Sequence, residues 1–171
     1  MTQERLEYLS GFFDGDGCVT FAGKMSSCSL SLSQSFDRSA CLLHFRESLG
    51  GGVYRKSGGL GMRKPTLQWA VSGATGRSAA EQLSQWPSMK SPQLRIAASW
   101  PECTKIRAEL AQQLKVLKGH QYTPKYLQCS WPYLAGFFDA EGHIRVAYNS
   151  VSIHLSLAQK NRAILDCVAS L

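Results

Sequence analysis

The chain has 171 residues, 44% of them hydrophobic and 18% charged, with a net charge of +7 and a pI near 9.2. That length holds one ordinary domain or two small ones, and no apolar run approaches the roughly 20 residues of a membrane-spanning helix. Glu4, Arg5 and Glu7 follow Met1 too closely for a secretory signal.

In chain order, Leu6, Leu9, Phe12 and Phe13 recur at helical spacing, so a helix is expected from Gln3 to about Asp14, ended by Gly15 and Gly17. A hairpin follows, Cys18–Lys24 and Ser27–Ser35; in its second strand Cys28, Leu30 and Leu32 alternate with serines. Arg38–Leu49 reads as a helix with Asp37 as its cap, and Gly50–Gly52 breaks the chain. Val53–Ser57 and Lys64–Val71 form a second hairpin around the turn Gly58–Gly61, and Arg77–Trp86 and Pro92–Leu117 are helical. The unit is αββαββα with an extra helix, one sheet face greasy and the other polar.

Residues 118–131 read as a linker broken by Gly119 and Pro124, with Pro132 just beyond, and then the chain starts over. Tyr8–Val19 is YLSGFFDGDGCV and Tyr133–Ile144 is YLAGFFDAEGHI; Gly11 and Gly136 lie 125 positions apart, as do Asp16 and Glu141. The register holds downstream: SLSLSQ ends at Gln34 and HLSLAQ ends at Gln159, again 125 apart. The expected division is a first unit at 1–117, the linker at 118–131 and the start of a second unit at 132–171. That second copy holds no counterpart of the second hairpin and rear helices, so the chain reads as a fragment of a longer two-unit protein or as a truncated frame.

A helix C-terminus carries partial negative charge, so an acid placed there is unfavourable alone. Ser10, Gly11 and Gly15 in one copy, and Ala135, Gly136 and Ala140 in the other, leave room for two helices to pack closely. Packed side by side, they bring Asp16 and Glu141 together. A hard divalent cation between them relieves the repulsion, with the carbonyls of Gly15 and Ala140 as further ligands. A metal held by paired carboxylates suits phosphodiester hydrolysis.

LSGFFDGDG and LAGFFDAEG resemble LAGLIDADG, the signature of a family of homing endonucleases, and two copies per chain resemble its single-chain branch. The resemblance implies an α+β fold of two pseudo-symmetric units packed through the motif helices, each with an antiparallel DNA-binding sheet. It implies a site-specific double-strand DNA endonuclease using Mg²⁺, or Mn²⁺ or Ca²⁺, with Asp16 and Glu141 as metal ligands. Gln34 and Gln159 then stand near the metal and its water, and Lys90 is the assisting basic residue, whose partner falls at position 215, beyond these residues. That gap puts two-strand cutting in doubt. Asp14 and Asp139 point elsewhere and read as structural.

The sheets are expected to lie along a long duplex target. Alternation assigns Lys24, Ser29, Ser31, Ser33, Arg55, Ser57, Lys64, Thr66 and Gln68 to the polar face of the first unit, and Arg145, Asn149 and His154 to that of the second. Arg55 suits guanine and Gln68 suits adenine. An ordinary solvated face would alternate in the same way, and a slip of one residue would invert it. Acid-free stretches carrying Arg55, Lys56, Arg63, Lys64 and Arg77, then Lys115, Lys118 and Lys125, favour a polyanion. The competing readings are an intron-RNA maturase, a DNA-binding protein without chemistry, and a homodimer built through the Asp16 helix in place of a monomer. The resemblance also implies an intron-borne gene, with the protein in an organelle or a microbial cytoplasm and not secreted. Trp69, Trp86, Trp100 and Trp131 read as packing residues. His143 reads as structural or phosphate-contacting, and the six cysteines, with no CxxC pair, as free thiols.

Overall fold

A computed structural model describes residues 1–21, 26–119, 126–147 and 151–171. Lys24 and Asn149 lie outside the described residues, as does Lys125. Helix α1 spans Gln3–Asp16 and starts at Thr2, whose hydroxyl accepts from the Arg5 N–H at 3.3 Å. It runs two residues past the expected end, so Gly15 is helical and Asp16 is its last residue. Gly17 closes it by donating its N–H to Phe13 O, and a Cβ at Gly17 would lie 2.4 Å from that oxygen.

Strands β1 (Cys18–Phe21), β2 (Cys28–Ser35), β3 (Gly52–Ser57) and β4 (Thr66–Ser72) form an antiparallel sheet in the order β1-β2-β4-β3. Helix α2 (Ala40–Leu49) follows a 3-10 turn at Phe36–Arg38. Asp37 does not cap it; its carboxylate takes the Lys64 ammonium at 2.5 Å instead. Gly50 and Gly51, at φ 75° and 81°, turn the chain into β3 in a conformation L side chains rarely adopt.

Helix α3 (Gly73–Ser84) packs on β2 and β4. The long rear helix divides into α4 (Ser91–Ala98) and α5 (Thr104–Gly119), because Pro101 has no N–H to continue the ladder and Trp100 turns into the core. α4 and α5 cover β1. The core joins Leu9, Phe12 and Phe13 of α1 to Leu30, Leu32 and Trp69 of the sheet and Leu42 and Phe45 of α2. Cross-strand pairing puts Val19, Leu30 and Val71 on that inner face.

The second unit holds α6 (Trp131–Glu141), β5 (Gly142–Val146), β6 (Ile153–Leu157) and α7 (Arg162–Ala169), with β5 and β6 a separate two-stranded sheet. Ser130 caps α6 by accepting from the Tyr133 N–H, and Pro132 stands in its first turn. Trp69, Trp86 and Trp100 are buried as expected, whereas Trp131 is exposed. Cys129 and Cys167 are joined as a disulfide linking the entry of α6 to α7, not free thiols; Cys18, Cys28, Cys41 and Cys103 are free. No helix among the described residues is long and apolar enough to cross a membrane.

Candidate active site at the helix crossing

α1 and α6 pack together along their lengths, and glycine makes this possible. A Cβ at Gly11 would stand 2.0 Å from Tyr133 O, and one at Gly136 would stand 1.9 Å from Tyr8 O. Each helix thus sets a glycine against the other's backbone carbonyl, 125 residues apart in sequence. Gly15 continues the seam, with a Cβ there 2.6 Å from that of Ala140 and 3.0 Å from Glu141 Cγ. The crossing therefore delivers the ends of both helices, and their acids, to one place.

Two reciprocal hydrogen bonds fix the pair. Tyr8 OH donates to Asp139 Oδ2 at 2.7 Å, and Tyr133 OH donates to Asp14 Oδ2 at 2.7 Å. Sequence reasoning missed both tyrosines. The signal was present: each stands six residues before the first acid in both copies. Burial, aided by those acids, pushes both phenols well up.

Asp14 is buried and does structural work. Besides Tyr133 it accepts the backbone N–H groups of Met89 at 2.8 Å and Lys90 at 2.9 Å, immediately before α4. It therefore seats the start of α4 against the end of α1. Lys90, mostly buried, sends its ammonium to Phe13 O at 2.7 Å, Gly15 O at 3.3 Å and Gly17 O at 2.5 Å. Burial pushes the Lys90 amine down and the Asp14 carboxyl up. Three donors on Asp14 and three acceptors around Lys90 are the complements of the charged forms, and each charge steadies the other.

Asp16 is half-buried at the end of α1, and the Gln34 amide donates to its Oδ2. Burial first and the charge of Glu141 second push the Asp16 carboxyl up, against the pull of Lys90 and Gln34. Glu141 is exposed at the end of α6. Gln159 does not mirror Gln34: it falls two residues beyond β6, and its amide oxygen accepts from the Lys160 N–H at 2.7 Å. Gln34 sits within β2, paired with Leu67 of β4, and β6 has no strand on that side among the described residues.

Two carboxylates from opposite helices, beside carbonyls at both helix ends, fit a hard divalent cation. No group of three or more His, Cys, Asp or Glu residues is placed to hold a metal among the described residues. A cation here would rest on Asp16 and Glu141 with water and substrate phosphate, the donor set that Mg²⁺ tolerates. The Gly15 carbonyl is shared with Lys90.

The sheet faces follow from register. Ser31 pairs with Ala70, Ser33 with Gln68, Ser35 with Thr66, and Ser29 with Ser72, which places these residues on the polar face. Tyr54 pairs with Gln68, whereas Arg55 pairs with Leu67, so Arg55 lies on the opposite face from that expected. A bulge between Arg55 and Ser57 shifts the phase, and the Lys56 ammonium reaches Ser33 Oγ at 2.9 Å on the polar face. Ser57 pairs with Thr66, and Lys64, before β4, is engaged by Asp37. In the second unit Arg145 pairs with His154 and His143 with Ser156, opposite Ile144 and Leu155.

Two close-packed helices that each end in a carboxylate, each followed by an antiparallel hairpin, define a LAGLIDADG fold. Residues 131–171 match the family model described as a LAGLIDADG-like domain. No curated protein matches the chain by sequence. Among solved structures, the LAGLIDADG meganuclease I-AabMI bound to uncleaved DNA is similar over 96% of this chain and 71% of its own, at 18% identity and a TM-score of 0.68. The homing endonuclease I-CvuI, in complex with its target in the presence of Ca, is similar over 72% of this chain and 88% of its own, at 22% identity and a TM-score of 0.54. I-SmaMI, bound to uncleaved DNA target in the presence of calcium ions, gives 96% and 71%, 13% identity and a TM-score of 0.58. The resemblance read from the two motifs is thus borne out: residues 131–171 match a LAGLIDADG-like domain, and the chain shares the fold of the LAGLIDADG homing endonucleases.

Proposed function

We propose that the protein is a site-specific DNA endonuclease that hydrolyses phosphodiester bonds with a divalent metal, Mg²⁺ foremost, at Asp16 and Glu141. The observation that carries this reading is the meeting of the two motif carboxylates where α1 and α6 cross, with Gln34 on one of them and Lys90 at the helix end. A purely structural crossing has no use for two like charges at its tip, one of which burial already disfavours.

A cation bound there would lower the pKa of a water and stabilise the attacking and leaving oxygens of a phosphate. The chain's own residues do the rest. Gln34 donates to Asp16 and fixes the rotation of its carboxylate. Lys90 gathers three carbonyls at the end of α1, offsetting the negative helix terminus and supplying positive charge beside the site. Asp14 holds Lys90 there through the backbone of residues 89 and 90. The polar face of the four-stranded sheet, with Ser33, Lys56, Gln68 and Tyr54 adjoining, is the surface for base edges and phosphates of the duplex.

The test is incubation with a randomised duplex library, with Mg²⁺ or with chelator, followed by sequencing of cut ends. Cut or nicked ends at a defined site, in Mg²⁺ alone, are expected. Duplex binding without any cut in Mg²⁺ or Mn²⁺ would move the reading to a DNA-binding protein of this fold. Selective retention of structured intron RNA over duplex would move it to splicing.

A further inference from the structure

Cys129 and Cys167 form a single bridge in a chain whose other cysteines, Cys18, Cys28, Cys41 and Cys103, are free thiols. Their Cα atoms lie 5.9 Å apart, within the ordinary span of a disulfide. Both residues are half-buried, within reach of a small thiol. A chain with a continuous apolar core and free thiols elsewhere has no need of a disulfide scaffold. A lone bridge close to the surface of such a chain is open to thiol exchange.

The two ends of the bridge are held differently. Cys129 stands at a fixed station. On one side of it, Gln128 donates its N–H to Pro87 O at 3.2 Å, and its carbonyl accepts the Trp86 indole N–H at 3.1 Å. On the other, the Ser130 hydroxyl donates to Glu7 Oε2 at 2.5 Å and caps α6. Cys167 belongs to α7, which buries Ile164 fully and Val168 in part. Asn161 accepts from the Ala163 N–H and Arg162 donates to Asp166, bonds that stay within the helix's own turns. The strand before α7 pairs with β5 alone among the described residues, and a two-stranded sheet is marginal in water. The bridge spans 38 residues and encloses α6, β5 and β6. One covalent bond thus ties a lightly packed segment to the turn that leads into Lys90.

That segment walls a cavity. Gln159, Lys160, Asn161 and Ile164 line a space of about 390 Å³ together with Lys90 and Cys18. We propose that the Cys129–Cys167 bridge is a redox-responsive lock. Closed, it holds the turn between β6 and α7 against the cavity at Lys90. Open, it releases that turn and leaves the α1–α6 crossing in place, because the crossing stands on Gly11, Gly136 and the two tyrosine hydroxyls. Opening is thiol–disulfide exchange with a small thiol of the glutathione class. Its thiolate attacks one sulfur of the bridge and expels the other as a thiolate, which takes a proton, and a second thiol resolves the mixed disulfide. Two small thiols are oxidised to one disulfide, and their two electrons and two protons leave Cys129 and Cys167 as thiols. The lock stands whether or not the protein cuts DNA.

The test places the 171-residue chain in glutathione buffers of varied reduced-to-oxidised ratio. Alkylation mapped by peptide mass reports the state of each cysteine, and amide exchange is read element by element. A Cys129→Ser, Cys167→Ser variant, which never bridges, is compared with the bridged chain in the absence of thiol, with the rate of iodoacetamide labelling at Cys18 as a probe of the cavity. The bridge should open and close reversibly across the buffers. On opening, the amides of β6 and α7 should exchange about tenfold faster or more, while those of α1, β1 and β2 hold. The variant should reproduce that pattern and label Cys18 about threefold faster or more than the bridged chain. A bridge that resists reduction until the whole chain unfolds overturns the proposal. So does a bridge that opens with exchange in β6 and α7 unchanged, or a pair that stays as two thiols in excess oxidised glutathione.

Discussion

At the scale of single residues, the molecule turns on two glycines and the acids they bring together. Gly136 lies inside a helix, where glycine costs about 1 kcal/mol against alanine by propensity. The contact with Tyr8 O accounts for it. Gly136→Ala should gain that propensity but lose more by forcing the helices apart, a net destabilisation of about 2 kcal/mol as read by urea denaturation; a neutral outcome would mean that the helices do not cross there. Asp16 supplies a pH dependence. Its folded-state pKa is raised, so its contribution to stability is fully present below the unfolded value and is lost as pH rises through the folded one. In chelator, the parent should therefore lose stability relative to Asp16→Asn as pH climbs above the ordinary aspartate value of about 4, and Mg²⁺ should restore it. Denaturation midpoints at each pH check this. The motif acids and Gln34 were legible in the sequence because they repeat at a fixed offset. The roles of Tyr8 and Tyr133 were not, since a hydroxyl at the edge of an apolar helix face finds its partner only once the helices are packed.

At the scale of elements, period-two alternation named the inner faces of β1, β2 and β4 correctly. It failed in β3, where the bulge at Lys56 exchanges the faces within a strand too short to show a change of phase. The break between α4 and α5 was visible in Pro101 and overrun by apolar spacing on both sides. The β3 assignment has a measurable consequence. Gln68→Ala should weaken target binding about tenfold and relax preference at one base, and Lys56→Ala should weaken all duplexes and lower the salt slope by about one. Arg55→Ala should do less than either. A larger loss from Arg55→Ala in filter-binding titrations across salt would show that the face runs in the phase expected from alternation.

At the scale of the whole molecule, duplication explains both what is finished and what is bare. One helix end carries Gln34 and Lys90 beside Asp16; at the other, Gln159 turns to its own backbone and no lysine stands behind Glu141 among the described residues. These 171 residues should therefore favour one strand and release nicked circles ahead of linear product from a supercoiled target, an order visible on a gel. The missing lysine was legible in the repeat, whereas the turn of Gln159 was not, because β6 has no strand on its far side, as β4 stands beside β2, among the described residues. The central claim is that Asp16 and Glu141 together make a hydrolytic metal site. It is tested most directly by Asp16→Asn and Glu141→Gln, singly and combined, assayed for Mg²⁺-dependent cutting and for duplex binding in the same samples. The account predicts that binding persists while each single change lowers cutting by about a hundredfold or more. Undiminished cutting by the combined variant would contradict it.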